Sequence, residues 1–322
     1  MSKITLATSK NSKFFDLIVR NIFFSEKTLK KKIISTDPFY SDYEKNLKEN
    51  INKIDDERCL GYINAYIKKD KKNLLYMKLH REQGNLKARL IRNYSINDDL
   101  IIINTAGGLT SGDVNFNSIK ISNDVVLNIT TQSMEKVYKC KNLLAHTYTN
   151  ITIGSDSYVS WMPLETIFFN GGKLRRRINI DLELSSNFLG IETIIFGRKA
   201  MGEKVKKGFL DDAWQINKNG KLLYSDFNRI DGNIDYKLSN NLVMQGNNIL
   251  CNIIYTGRKM KVYNRKILKV INKSKYFAGV SIVNEVMLLK VLAKDINEIR
   301  AFLDKFMDIL DNNFNLPKIW SF

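Results

Sequence analysis

A chain of 322 residues, 44% hydrophobic and 26% charged, has the apolar content of an ordinary globular protein with one or two cores. No apolar run approaches the ~18 residues that a bilayer-spanning helix needs. The net charge of +18 raises nucleic acid as a partner, yet the basic residues are spread along the chain and no RRM, zinc-finger or helix-turn-helix signature accompanies them. The densest runs, Lys30 to Lys32, Lys68 to Lys72 and Arg175 to Arg177, fit compositional drift or a negatively charged protein partner better than nucleic acid.

Residues 1–57 form a polar, basic N-terminal extension with one apolar patch, Phe14 to Phe24, and a run from Asp42 to Ile54 that is rich in helix-tolerant residues. The start lacks an apolar stretch followed by a small-residue cleavage site, so a cytoplasmic location is expected. From residue 58 to 322 the pattern is that of a β domain. Short runs such as LGYINAYIKK, NLLYMKLH, DLIIINT, VVLNITTQ, TNITIGSDSYVSWM and RINIDLEL are separated by Gly, Asn and Asp turns. This punctuation predicts mainly antiparallel strands in stacked or wrapped sheets. Alternation in NITIGSDSYVSW predicts that Ile151, Ile153, Tyr158 and Trp161 share apolar surroundings. One helix is predicted near the end: Asp295 is a good N-cap, and Ile296, Ile299, Phe302, Leu303, Phe306, Ile309 and Leu310 recur at helical spacing. The default reading of that stripe is a helix laid across a sheet.

Three isolated cysteines (Cys59, Cys140, Cys251) and two histidines (His80, His146) form no CxxC pair and show no spacing for a stable zinc or nickel cage. A hydrolase using His146 has no GxSxG segment to supply its nucleophile. The glycine-rich segment TAGGLTSGD, Thr105 to Asp113, follows an apolar strand, but Asp113 stands where a phosphate loop needs lysine. By itself it reads as a tight turn shaped by Gly107, Gly108 and Gly112.

With its neighbours the segment becomes specific. TTQSMEKVYKC contains Thr130, Thr131, Gln132, Lys136 and Tyr138; WMPLETIFFNGG contains Trp161 and Pro163; FGRKAMGEKVKKG contains Gly197, Arg198 and Gly202; LPKIWSF closes the chain. These five segments, in this order, resemble the motifs of the UreD family (also called UreH) of urease accessory proteins. The resemblance covers residues 58–322 and leaves the first 57 unexplained. It implies a mostly β, helically wrapped fold with few helices. It also implies a non-catalytic maturation factor that binds apo-urease and a UreF-like protein, with a UreG-like GTPase recruited through UreF, in a hetero-oligomer.

The same resemblance implies nickel delivery, with no tightly bound cofactor and nickel held only in transit. Release requires weak, exchangeable binding, which carboxylates and water supply better than thiolate or imidazole clusters. The candidates for a nickel path are the acids in the matching segments: Asp113, Glu165, Glu192, Glu203 and Asp226. Each also has a structural reading. Asp113 can cap its own turn, and Glu203 can pair with Arg198. A basic nucleic-acid-binding module and a hydrolase are the alternatives to a maturation factor.

Overall fold

The computed structural model describes residues 59–93, 97–198, 201–273 and 276–320. The readings of the N-terminal extension and of a helix from Asp42 to Ile54 lie outside the described residues.

Hydrophobic alternation sets the architecture. Among the described residues, seventeen strands form two sheets. Those of the seven-stranded sheet are β1 (Leu60–Lys69), β2 (Leu75–Gln83), β5 (Val114–Ile121), β8 (Ala145–Ile153), β11 (Lys173–Leu182), β13 (Gly208–Lys218) and β14 (Lys221–Gly232). The ten-stranded sheet holds β3 (Leu86–Ile91), β4 (Asp98–Asn104), β6 (Val126–Thr131), β7 (Glu135–Val137), β9 (Tyr158–Trp161), β10 (Thr166–Phe168), β12 (Asn187–Phe196), β15 (Ile249–Thr256), β16 (Phe277–Val283) and β17 (Val286–Ala293).

The prediction of mainly β structure holds, but the sheets are mixed, which corrects the antiparallel expectation. From β5 to β13 the chain passes back and forth between the two sheets, so it winds around a common interior. Each winding returns the next strand to the same sheet in the same direction, and the pairs β5–β8, β8–β11, β11–β13, β6–β9 and β9–β12 are therefore parallel. Many of the turn signals mark crossings between sheets; a true hairpin occurs at Lys218–Lys221, between β13 and β14.

Inward positions of both sheets meet in a core that includes Ile119, Ile121, Ile151, Ile153, Ile178, Ile180, Trp161, Phe188 and Trp214. Tyr158 departs from the expected grouping. It lies an odd number of residues from Trp161 on the same strand, so it points to the opposite face and packs with the helices.

That second layer covers the outer face of the ten-stranded sheet. It is built by α2 (Met260–Asn272) and α3 (Ile296–Met307), whereas the short α1 (Ile234–Ser239) packs against Phe168 and Leu210 in a separate cluster. The predicted C-terminal helix is α3. Asp295 accepts from the Asn297 amide as its N-cap, and Ile299, Phe302, Leu303 and Phe306 are buried against Leu289 and Val291. Ile309 and Leu310 lie beyond its last turn. Among the described residues no helix is long and apolar enough to cross a membrane.

Candidate functional site: a polar interior between the sheets

Strand register builds the site. In the seven-stranded sheet one inward row runs Gly61, Asn115, Thr147, Arg176, Asp212, Asn228, each residue paired with the next. The next row contains Asn117 and Thr149, and beyond it the inward positions turn to Ile119 and Ile151. The polar rows thus form a level between two apolar ones, with Ile119 and Ile151 on one side and Ala145, Leu174 and Leu210 on the other. Across from these rows the ten-stranded sheet presents Thr131, Trp161 and Glu192, and Asn252 is the strand partner of Glu192.

A cavity of about 80 Å³ lies at the polar level; Asn104, Asn115, Asn117, Glu135, Arg176 and Glu192 supply polar groups to its wall, and Ile102, Leu109, Leu174 and Ile178 supply apolar ones. It has room for a few water molecules. The wall includes the exposed Gly107 and Ser133, where the cavity meets the surface.

At its inner end lies an ion triad. Arg176 donates from Nε and Nη2 to the two oxygens of Asp212 at 2.9 and 2.7 Å, and its Nη1 pairs with Glu192 Oε2. Trp161 Nε1–H donates to Glu192 Oε1 at 2.8 Å. Two carboxylates share one guanidinium here. Burial pushes the Glu192 carboxyl up to about 7, with the Asp212 charge adding to the effect and Arg176 opposing it. Burial works against the charge of Arg176, but the two carboxylates outweigh it and raise its pKa.

Asp212 also lines a groove of about 600 Å³ between β12–β14 and β15–β17, together with Asn228, Asn252 and Lys290. The triad therefore stands between the cavity and the groove, sharing Arg176 and Glu192 with the first and Asp212 with the second.

Of the five acids singled out in the sequence, Glu192 lines the cavity. Asp226 sits at the groove, bonded to Asn228 and 3.4 Å from Lys290 Nζ, both of which line it. Asp113 accepts from the amides of Cys59 at 3.0 Å and Thr110 at 2.7 Å, which is the turn-capping role. Glu165 is buried and paired with Arg300 of α3 at 3.1 Å, while Glu203 pairs with Arg198 near the surface at 2.9 Å. Those three do not line the cavity.

Sequence reasoning passed over Glu135, Arg176 and Asp212. Glu135 accepts from the Asn104 side-chain amide at 3.1 Å through both oxygens, and burial raises its carboxyl to about 7. A signal for the other two exists: VNFNSIKI, HTYTNITI, RRRINIDL and DDAWQINK repeat the same inward pattern, polar then apolar.

The motif residues converge structurally. Trp320 Nε1–H donates to Thr130 Oγ1 at 3.3 Å and to the Met162 carbonyl at 3.1 Å, which ties the terminal segment to two others. Thr131 Oγ1 accepts from the Leu164 amide at 3.0 Å, and the Gln132 amide donates to the Ile102 carbonyl. Pro163 lines the cavity. Gly108 lies against Tyr138 and the Lys136 carbonyl, so closely that a Cβ there would sit 2.5 Å from the ring. Gly107 and Gly112 take positive φ in the turn, as do Gly197 and Gly202 around the Arg198–Glu203 pair. Arg198 also covers the Phe169 ring at 4.4 Å.

His146 is a buried strand residue whose Nδ1 lies 3.0 Å from the Tyr148 hydroxyl, and burial drives its pKa down to about 3. Among the described residues no group of three or more His, Cys, Asp or Glu side chains is placed to hold a metal ion.

Comparison with known proteins agrees with the geometry of the motifs. The profile of the family described as "UreD urease accessory protein" matches residues 68–321. A protein of Rhizobium rhizogenes named urease accessory protein UreD is 32% identical over 240 residues, which is 74% of this chain and 87% of that protein. Its namesake from Rhizobium johnstonii has the same identity and coverage, and that of Xanthobacter autotrophicus is 31% identical, with 82% of its length covered. The chain belongs to the UreD family of urease accessory proteins.

Proposed function

We propose that this chain is a non-catalytic scaffold in urease maturation, and that it delivers nickel through its interior. In this reading it binds apo-urease and a UreF-like protein, through which a UreG-like GTPase joins the hetero-oligomer, and it works in the cytoplasm. The observation that carries the nickel role is the polar level of the interior, where a cavity with room for water and an open groove meet at the Glu192–Arg176–Asp212 triad. Buried polar side chains are costly to a fold that does not use them. Here they occupy successive strands at one level, in place of the isoleucines found farther along the same strands.

Oxygen donors suit the task. A transfer protein has to release its ion, and carboxylate, amide and hydroxyl oxygens with water bind nickel weakly and exchange it readily. Glu135 and Glu192 belong to the cavity, Asp212 lines the groove and Asp226 stands beside it, so these four are the acids of the path. Asp113, Glu165 and Glu203 act by shaping and anchoring the segments around it.

The test is Glu192→Gln, which keeps the acceptor for Trp161 and removes the charge. Urease activation in a reconstituted complex with nickel should fall well below the wild-type level while the complex still assembles. Full activation by a normally assembled complex would remove the interior path. Failure of the chain to co-purify with a UreF-like partner or apo-urease would remove the scaffold reading as well.

A further inference from the structure

Three oxygen-bearing side chains converge on the junction between cavity and groove. Glu192 and Asp212 are 2% and 1% exposed, and both grip the Arg176 guanidinium. Asn252 is the direct strand partner of Glu192, shares its inward face and lines the groove beside Asp212. It is 5% exposed, and its Oδ1 has no hydrogen-bond partner. A buried amide oxygen without a donor is costly, and it has room to accept from a donor or to ligate a cation.

Charge points the same way. With both carboxyls ionised, two carboxylates and one guanidinium leave the junction one unit negative, and a guanidinium does not give up its proton. A divalent cation in the same place would cancel both carboxylates and give the Asn252 oxygen a partner. Resting on the nickel-path reading above, we propose that Glu192, Asp212 and Asn252 form a divalent-cation waypoint that Arg176 occupies between passages of the ion. The arginine stabilises the carboxylates when no metal is present, and the ion displaces it, with water completing the coordination shell. Three oxygen donors make a weak site, which suits an ion that has to move on.

The experiment uses the purified full chain and Ni²⁺ alone, by equilibrium dialysis in chelator-stripped buffer. Arg176→Gln vacates the site and should bind one Ni²⁺ about tenfold or more tightly than wild type, since the guanidinium no longer competes for the carboxylates. Adding Asp212→Asn or Asn252→Leu to that variant should abolish the gain. Wild-type-like binding by Arg176→Gln, or a gain that survives both second substitutions, overturns the proposal.

If Arg176→Gln does not fold, the wild-type chain decides. Trp161 Nε1–H is bonded to Glu192, so its indole NMR signal reports on the site. Substoichiometric Mn²⁺ should broaden the Trp161 signal before that of Trp320, and Asp212→Asn should abolish this order. Equal broadening of the two signals overturns the proposal. The outcome separates from that of the functional reading: nickel binding with unimpaired activation by Glu192→Gln keeps the site and sinks the path, and the reverse keeps the path and sinks the site.

Discussion

Glu135 gives the sharpest quantitative test of the buried polar wall. Its carboxyl is held at about 7 against an ordinary value of 4.5, with burial as the leading cause. Because the folded value is raised, the neutral form is favoured on folding. The penalty is absent below pH 4.5, grows as pH rises between the two values, and is complete above pH 7. At about 1.4 kcal/mol per pH unit, the full penalty is on the order of 3 kcal/mol, and it should change by about 2 kcal/mol between pH 5 and pH 8.5. Glu135→Gln carries no charge and keeps an oxygen to accept from Asn104. Comparing the variant with wild type cancels every other titrating group. Urea unfolding at the two pH values should show the variant gaining about 2 kcal/mol on wild type at the alkaline end, or roughly 4–8 °C in Tm for a domain of this size. A difference between the two proteins that does not vary with pH would refute the assignment of an elevated Glu135 and with it the desolvation of this wall.

Other substitutions probe the frame of the site. Gly108→Ala places a Cβ 2.5 Å from Tyr138 Cε2 and 2.6 Å from the Lys136 carbonyl, so it should cost about 2 kcal/mol or more in chemical denaturation. Gly107→Ala meets no atom within 4 Å and should cost only the strain of a positive φ, about 1 kcal/mol. Leu303→Ala removes a fully buried side chain from the helix layer and should cost about 2–5 kcal/mol by the same measurement. Arg198→Ala breaks an exposed pair with Glu203 and a contact with Phe169, and its effect on unfolding should stay below about 1 kcal/mol.

The strands and α3 were legible in the sequence because alternation and helical spacing are local signals. LGYINAYIKK coincides with β1, and Asp295 caps α3 as its residue type suggests. Parallel pairing was not legible, since Asn117 meets Thr149 across 32 residues, Asn150 meets Asn179 across 29, and Arg176 meets Asp212 across 36. These unequal offsets hide the repeat from any fixed period. They also hide the triad, because its three members come from three strands, and Arg176 reads locally as one of a run of surface arginines. Its neighbours Arg175 and Arg177 point to the other face and pair with Asp211, as a period of two requires. The helix α2 went unrecognised for another reason: only Tyr263 and Ile267 of its 13 residues are buried, and Lys259 at its start offers no side-chain cap.

The apolar levels on either side of the polar one suggest why a polar space persists inside the fold. Isoleucines at the apolar level hold the sheets apart at a fixed spacing, so the asparagines and threonines of the polar level need not pack tightly against the opposite wall. Asn117 illustrates the consequence. Its Nδ2 lies 3.3 Å from Thr149 Oγ1, while its Oδ1 is buried without a partner. Asn117→Leu removes that orphan acceptor and fills part of the cavity with methyl groups. For a residue chosen for stability, the change should be harmful; for one kept for a wet path, it should be neutral or stabilising, by up to about 1–2 kcal/mol. The prediction is therefore a split: unfolding free energy equal to or above wild type, with nickel-dependent urease activation reduced in the assembled complex. A variant that is destabilised by more than about 2 kcal/mol would make Asn117 a packing residue. One that is stable and activates normally would show that the space it lines carries nothing.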